Sequence, residues 1–113
     1  MADAFKVLGQ IAPPATTHTA LYSVPANKSA SATTLAVCNR SATTTSQFRI
    51  SVAVANEGAG TPVAKQYIYY AIDVPARDTF VATIGITLAT TDVVYAYSSS
   101  TDLSFTLFGV EIS

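Results

Sequence analysis

The stretch Gln47-Phe-Arg-Ile-Ser-Val-Ala-Val-Ala-Asn56 decides the fold. Phe48, Ile50, Val52 and Val54 share one parity, with Arg49, Ser51, Ala53 and Ala55 on the other. Successive side chains of a strand point to opposite faces, so this pattern predicts a strand with one face in a core. The next apolar run, Gln66 to Asp73, sets Ile68, Tyr70 and Ile72 against Tyr67, Tyr69 and Ala71. Both of its faces are bulky, which predicts that both are covered, one by the core and one by a neighbour. Gly58, Gly60 and Pro62 punctuate the segment between the runs. Residues 47–56 and 65–73 therefore read as a hairpin with 57–64 as its loop.

Outward from that hairpin, strand-like runs recur at Phe5 to Ile11, Ala20 to Val24, Thr33 to Cys38, Thr79 to Thr87, Val93 to Tyr97 and Leu103 to Ile112. No stretch joins i, i+3, i+4 apolar spacing to good helix formers. Short strands roughly 10 residues apart, with turn signals between them, predict an all-β chain. The expected architecture is one β-sandwich or jelly-roll-like domain over residues 1–113, of about 7–9 short antiparallel strands and no significant helix. In the last run, the parity of Leu103, Phe105 and Leu107 gives way to that of Phe108, Val110 and Ile112 beside Gly109. This predicts a β-bulge or a strand that passes between sheets. Pro13-Pro14 is a stiff, extended segment. Residues 1–14 are thus expected to form either an arm that pairs with another subunit or a first strand in the chain's own sheet.

One internal echo stands out. Tyr22-Ser-Val-Pro-Ala-Asn-Lys-Ser29 returns fifty residues later as Ile72-Asp-Val-Pro-Ala-Arg-Asp-Thr79. In both, a strand runs into a proline, which cannot donate to the ladder and so ends or bends it. Two readings stay open: equivalent corners of a sandwich left by an old duplication, or a common corner reached twice.

Charge is scarce. Six basic and seven acidic residues make up 12% of the chain, half of the residues are hydrophobic, and the formal net charge is −1. Ordinary soluble domains carry about 25% charge, so the composition predicts a surface covered by copies of the chain or by neighbours. The scattered cations Lys6, Lys28, Arg40, Arg49, Lys65 and Arg77 make no basic stripe, so no direct contact with nucleic acid is expected. No apolar run approaches the ~20 residues of a membrane helix. The segment Met1-Ala-Asp-Ala-Phe-Lys6 lacks the features of a secretory signal, so neither membrane association nor export is expected.

Chemistry-bearing residues are few. His18 follows Pro13-Pro14 in a Thr-rich loop, with no nucleophile elbow or oxyanion turn anywhere in the chain; an exposed loop histidine is expected. Cys38 has no partner for a disulfide and reads as a buried, structural residue. Asp3, Glu57, Asp73, Asp78, Asp92, Asp102 and Glu111 are dispersed, without a calcium-loop spacing, and read as turn formers. Gly58-Ala-Gly60 fits no phosphate-cradling pattern. Asn27-Lys-Ser29 and Asn39-Arg-Ser41 are sequons by chance in a Ser/Thr-rich chain. The expectation is a protein that is not an enzyme, with no catalytic, metal or cofactor site. The tyrosines are the remaining signal, because Tyr joins a large rigid area to a polar tip. With two apolar residues of the first run, they give the candidate interface Phe5, Val7, Tyr67, Tyr69, Tyr95 and Tyr97. A carbohydrate platform is the alternative, weakened by the absence of Trp.

Several stretches carry a family resemblance. These are Leu21-Tyr-Ser-Val-Pro-Ala-Asn-Lys-Ser-Ala30, Leu35-Ala-Val-Cys-Asn-Arg-Ser41, Phe48-Arg-Ile-Ser-Val52, Lys65-Gln-Tyr-Ile-Tyr-Tyr70, Ile72-Asp-Val-Pro-Ala-Arg-Asp-Thr-Phe80, Gly85 to Val94 and Leu103 to Ile112. Together they resemble small virion-associated proteins of tailed bacteriophages and prophages, over nearly the whole chain and without a catalytic signature. The resemblance implies a β-sandwich that assembles on the particle, in host cytoplasm, as a capsid decoration or as part of the tail, baseplate or fibre. The expected role is a capsid decoration (cement) protein, a homo-oligomer and specifically a trimer, bound to virion proteins such as the major capsid protein. A tail, baseplate or fibre component with a host-attachment role is the alternative, and a carbohydrate-binding module a lesser one.

Overall fold

Hydrophobic alternation closes the chain into two four-stranded antiparallel sheets. The computed structural model describes residues 3–113; Met1 and Ala2, at the start of the expected arm, lie outside the described residues. The strands are β1 (Asp3–Ile11), β2 (Thr19–Ser23), β3 (Ser29–Asn39), β4 (Ser46–Ala53), β5 (Tyr67–Val74), β6 (Thr79–Leu88), β7 (Val93–Ser98) and β8 (Leu103–Ile112). The front sheet has the order β1-β8-β3-β6 and the back sheet β2-β7-β4-β5. The antiparallel pairs β4–β5, β3–β6, β2–β7 and β1–β8 are nested around the β4–β5 hairpin. A long double ribbon has been rolled so that its successive pairs alternate between sheets. The chain is all-β and its two antiparallel sheets are compatible with a β-sandwich. Residues Asp3–Ile11 pair with β8 inside the chain's own front sheet.

Between the sheets, Phe48 from β4 and Phe105 from β8 meet edge-on at 6.0 Å, with Phe80 5.1 Å and Tyr69 5.9 Å from Phe48. Leu35, Val37, Ile50, Leu88, Leu103, Leu107 and Val94 fill the remaining space. The two prolines of the repeated segment occupy equivalent corners, β2 to β3 and β5 to β6. At each, the proline carbonyl accepts from the N–H three residues on, from Lys28 at 3.3 Å and Asp78 at 3.1 Å. The third turn residue is left-handed, Asn27 at φ 62° and Arg77 at φ 61°. Asn adopts that conformation at lower cost than Arg. Arg77→Gly is therefore expected to stabilise the protein by roughly 0.5 kcal/mol, read as a higher urea midpoint, whereas Asn27→Gly gains less.

Four sequence expectations are corrected by the backbone. The strand expected over 47–56 ends at Ala53, and Val54–Asn56 form a 3-10 turn in which Ala55 is left-handed, at φ 52°. Val54 thus leaves the core parity and is exposed. The simple alternation of β5 is broken by irregular pairings on both sides of Ile50. Between Ile72 and Tyr69 two β5 residues, Tyr70 and Ala71, oppose the single β4 residue Arg49, with Ala71 at φ 54°. As a result Tyr69 and Ile72 pack toward the core, while the rings of Tyr67 and Tyr70 meet at 5.0 Å on the outer face. The last strand neither bulges nor changes sheets. Its neighbours do, with Leu8 of β1 and Thr33 of β3 as the extra residues beside Gly109. Leu103, Phe105, Leu107, Gly109 and Glu111 keep one inward phase, which leaves Phe108, Val110 and Ile112 outward. Beyond the β3 bulge, Leu35, Val37 and Asn39 are the inward residues, so Cys38 faces out and is half-buried, not buried.

Candidate functional site

The outer face of the front sheet carries an apolar stripe. Directly opposed residues share a face, and the pairs Phe5–Val110 and Val7–Phe108 both lie outward. Phe5 is 84% exposed, Val7 46% and Phe108 38%. Thr34 and Thr83 continue the Phe108 row, and Ala36 and Val81 lie in the next. Among the described strand residues of this face the only charge is Asp3, at its corner. A protein exposes single apolar residues freely, but a contiguous uncharged stripe of this kind marks a contact surface.

On the other side of the same strands lies a buried carboxylate. Glu111 points inward from β8 and is buried; the expectation of a turn former is corrected, because its strand parity places it between the sheets. The Tyr22 hydroxyl of β2 donates to its Oε2 at 2.7 Å. Lys6 Nζ of β1 donates to Oε1 at 3.1 Å, and Lys28 Nζ stands 3.7 Å from the same oxygen. The Tyr22 hydrogen bond, joined by the two lysines and opposed by burial, holds the Glu111 carboxyl below its ordinary range. Burial, and then the hydrogen bond and charge of Glu111, push the Tyr22 hydroxyl far above its own. Lys6 shares its parity with Leu8, the buried residue of β1, so Phe5 and Val7 turn outward.

The six candidate interface residues divide. Phe5 and Val7 sit on the stripe. Tyr69 packs against Phe48 and Phe80. Tyr95 is buried with Ala53 and Val93 and donates to Asn56 Oδ1 at 2.6 Å. Tyr67 and Tyr97 are half-buried on the outer face of the back sheet, the site of a cluster that sequence reading did not assemble. There the Arg49 guanidinium lies over the rings of Tyr70 and Tyr97, at 4.3 and 4.6 Å from their centroids. His18 packs against Tyr97 at 4.8 Å and approaches Tyr67 at 6.2 Å. The histidine is thus half-buried, contrary to the exposed loop residue expected, because the segment before it is tied to β7 by Thr16 N–H donating to the Ser98 carbonyl at 2.8 Å. Burial, and the nearby Arg49 charge, hold its imidazole below the ordinary histidine range.

An open cleft of about 470 Å³ lies beside the hairpin loop, lined by Val52, Val54, Glu57, Lys65, Gln66 and Ile68. Its one charged pair is Lys65–Glu57 at 3.4 Å. Asp92 behaves as a turn former, accepting from the N–H groups of Ala89 and Ala55 at 2.9 Å each. Among the described residues no three His, Cys, Asp or Glu side chains gather as metal ligands, and no helix is long and apolar enough to cross a membrane.

No protein-family model matches the chain, and no curated protein does. Among solved structures, two crystal structures of a pentameric capsid protein isolated from metagenomic phage sequences overlay on it with a TM-score of 0.32 each, at 15% and 16% identity. The overlays cover 97% of this chain and 65% and 64% of theirs, so the chain spans just under two thirds of their length.

Proposed function

We propose that the chain is a structural protein of a bacteriophage virion, a capsid decoration protein that self-associates and cements the assembled shell. The observation that carries the assembly is the stripe Phe5, Val7, Phe108 and Val110 on a sheet face whose one charge among the described strand residues is Asp3 at its corner. The phage context rests on the sequence resemblance, and jelly-roll sandwiches are a building unit of viral capsids. In this reading the stripe meets copies of the chain around a three-fold axis, a heterologous contact that closes into a ring. The trimer then bridges neighbouring major capsid subunits. Binding the lattice and not free subunits stabilises the shell by mass action, and many copies on one particle reinforce one another.

Two measurements test it. Covering the exposed Phe5 ring is worth about 3 kcal/mol. Phe5→Asp is therefore expected to weaken self-association at least ~100-fold while leaving the thermal midpoint of the monomer unchanged. Sedimentation equilibrium reads the first and calorimetry the second; a wild-type chain that stays monomeric at high concentration would sink the assembly reading. Densitometry of purified particles is expected to give on the order of hundreds of copies. A handful of copies would remove the cement role and leave a tail or fibre position.

A further inference from the structure

We propose that the outer face of the back sheet binds a carboxylate-bearing saccharide, with Arg49 receiving the carboxylate and Tyr70 the sugar ring. Lys6, Lys28 and Lys65 each have a carboxylate partner. Arg49 is half-buried, and among the described residues its guanidinium has neither an ion pair nor a hydrogen bond. Its attraction to the faces of Tyr70 and Tyr97 fixes the guanidinium in place and leaves the N–H fork free for a planar two-oxygen acceptor. A carboxylate fits that fork.

Three further observations favour a sugar as the carrier of the carboxylate. Tyr70 remains 58% exposed although the guanidinium covers part of it, and Tyr67 props it edge-on at 5.0 Å and 87°. An open ring beside a cation is a platform for the C–H face of a pyranose. The hydroxyls of Tyr67, Tyr70 and Tyr97 take no hydrogen bond among the described residues, which leaves several polar tips for several sugar hydroxyls. Beneath the rings, Ser51 is 2% exposed with its Oγ unpartnered, and His18 Nδ1 is buried without a partner. Buried polar atoms without partners are rare in a surface built only for stability. Charge sets the class of ligand. With the His18 imidazole held below its ordinary range, Arg49 is the one permanent cation of the cluster, and Asp73, bonded by Gln47 Nε2 at 2.9 Å, stands further along the same strand pair. One positive charge near an aspartate suits a mono-anion and disfavours phosphate, sulfated chains and nucleic acid.

The proposal does not depend on the virion reading, and the isolated full chain tests it by calorimetric titration. Sialyllactose is the probe, lactose the uncharged control, and acetate and an Asp-containing peptide the carboxylate without the sugar. Saturable binding of sialyllactose on the order of millimolar or tighter is expected, with lactose, acetate and peptide at least ~10-fold weaker. Arg49→Lys, which keeps the charge but loses the fork, and Tyr70→Ala, at an exposed ring, are each expected to cost at least ~10-fold. Both should keep the wild-type thermal midpoint within a few degrees. No saturation by sialyllactose, equal binding of lactose, acetate or peptide, or an Arg49→Lys variant that binds as well as wild type would overturn the proposal.

Discussion

Gly109→Ala is expected to destabilise the protein by about 3 kcal/mol or more, a large share of the 5–15 kcal/mol that holds a domain folded. Gly109 lies at an inward position of β8, the strand between β1 and β3. A Cβ there would collide with the Ser31 carbonyl oxygen of β3 and lie 2.9 Å from Leu8 Cδ1 and 3.0 Å from the Ala32 Cα. Two of these three atoms are backbone of a strand paired to β8, so no rotamer change clears the site. Only parting β3 from β8 would, and that breaks ladder hydrogen bonds in the middle of the front sheet. The glycine also explains the paired bulges. Leu8, the extra residue of β1, fills the space that a side chain at 109 would take. Gly85→Ala is the control: Gly85 is left-handed at φ 55°, but a Cβ there would meet nothing within 4 Å, so only the backbone penalty of about 1 kcal/mol applies. Urea unfolding of the two variants reads the difference, and a Gly109→Ala loss no larger than that of Gly85→Ala would contradict the packing argument.

The same strand shows how far periodicity reaches. Alternation located all eight strands and the β4–β5 hairpin, because a half-buried strand must alternate whatever its neighbours are. It misread β8 because both parities there are apolar. Phe108, Val110 and Ile112 look like core, while the residues that do face the core at that end are Gly109 and Glu111. An apolar stripe that faces outward is indistinguishable, in a linear pattern, from one that faces inward. The tyrosine cluster was hidden for a different reason. The irregularity that turns Tyr67 to the face of Tyr70 is at Ile68, between Tyr69 opposite Ile50 and Tyr67 opposite Ser51, where a glycine or asparagine would have been a signal. Arg49 stood in the opening stretch as an ordinary outward residue. Its partners Tyr70, Tyr97 and His18 come from β5, β7 and the segment before β2, and only the rolled topology brings them together. The Val-Pro-Ala corners were legible because proline and the following polar turn act locally.

Glu111→Gln is expected to cost about 1–3 kcal/mol at neutral pH, most of it through the charged hydrogen bond to Tyr22. The lysines contribute less, since Lys6 and Lys28 are 46% and 41% exposed and are screened by solvent. The pH dependence separates this carboxylate from the exposed ones. The folded state holds Glu111 below its ordinary value, so the unfolded chain takes up the proton first as pH falls. Its stabilising contribution is complete above the ordinary glutamate value and is lost as pH falls from there through the lowered folded value. Tyr22 is the mirror case: raised in the folded state, it contributes fully below the ordinary tyrosine value near 10 and loses that contribution as pH rises beyond it. The stability gap between wild type and Glu111→Gln should therefore be widest at neutral pH and close at acid pH. Tyr22→Phe should flatten the alkaline limb and shrink the acid one, because it removes the first cause of the Glu111 shift. Denaturant midpoints across the pH range measure both limbs; a gap that stays constant down to pH ~2 would mean that Glu111 is not held ionised by these partners.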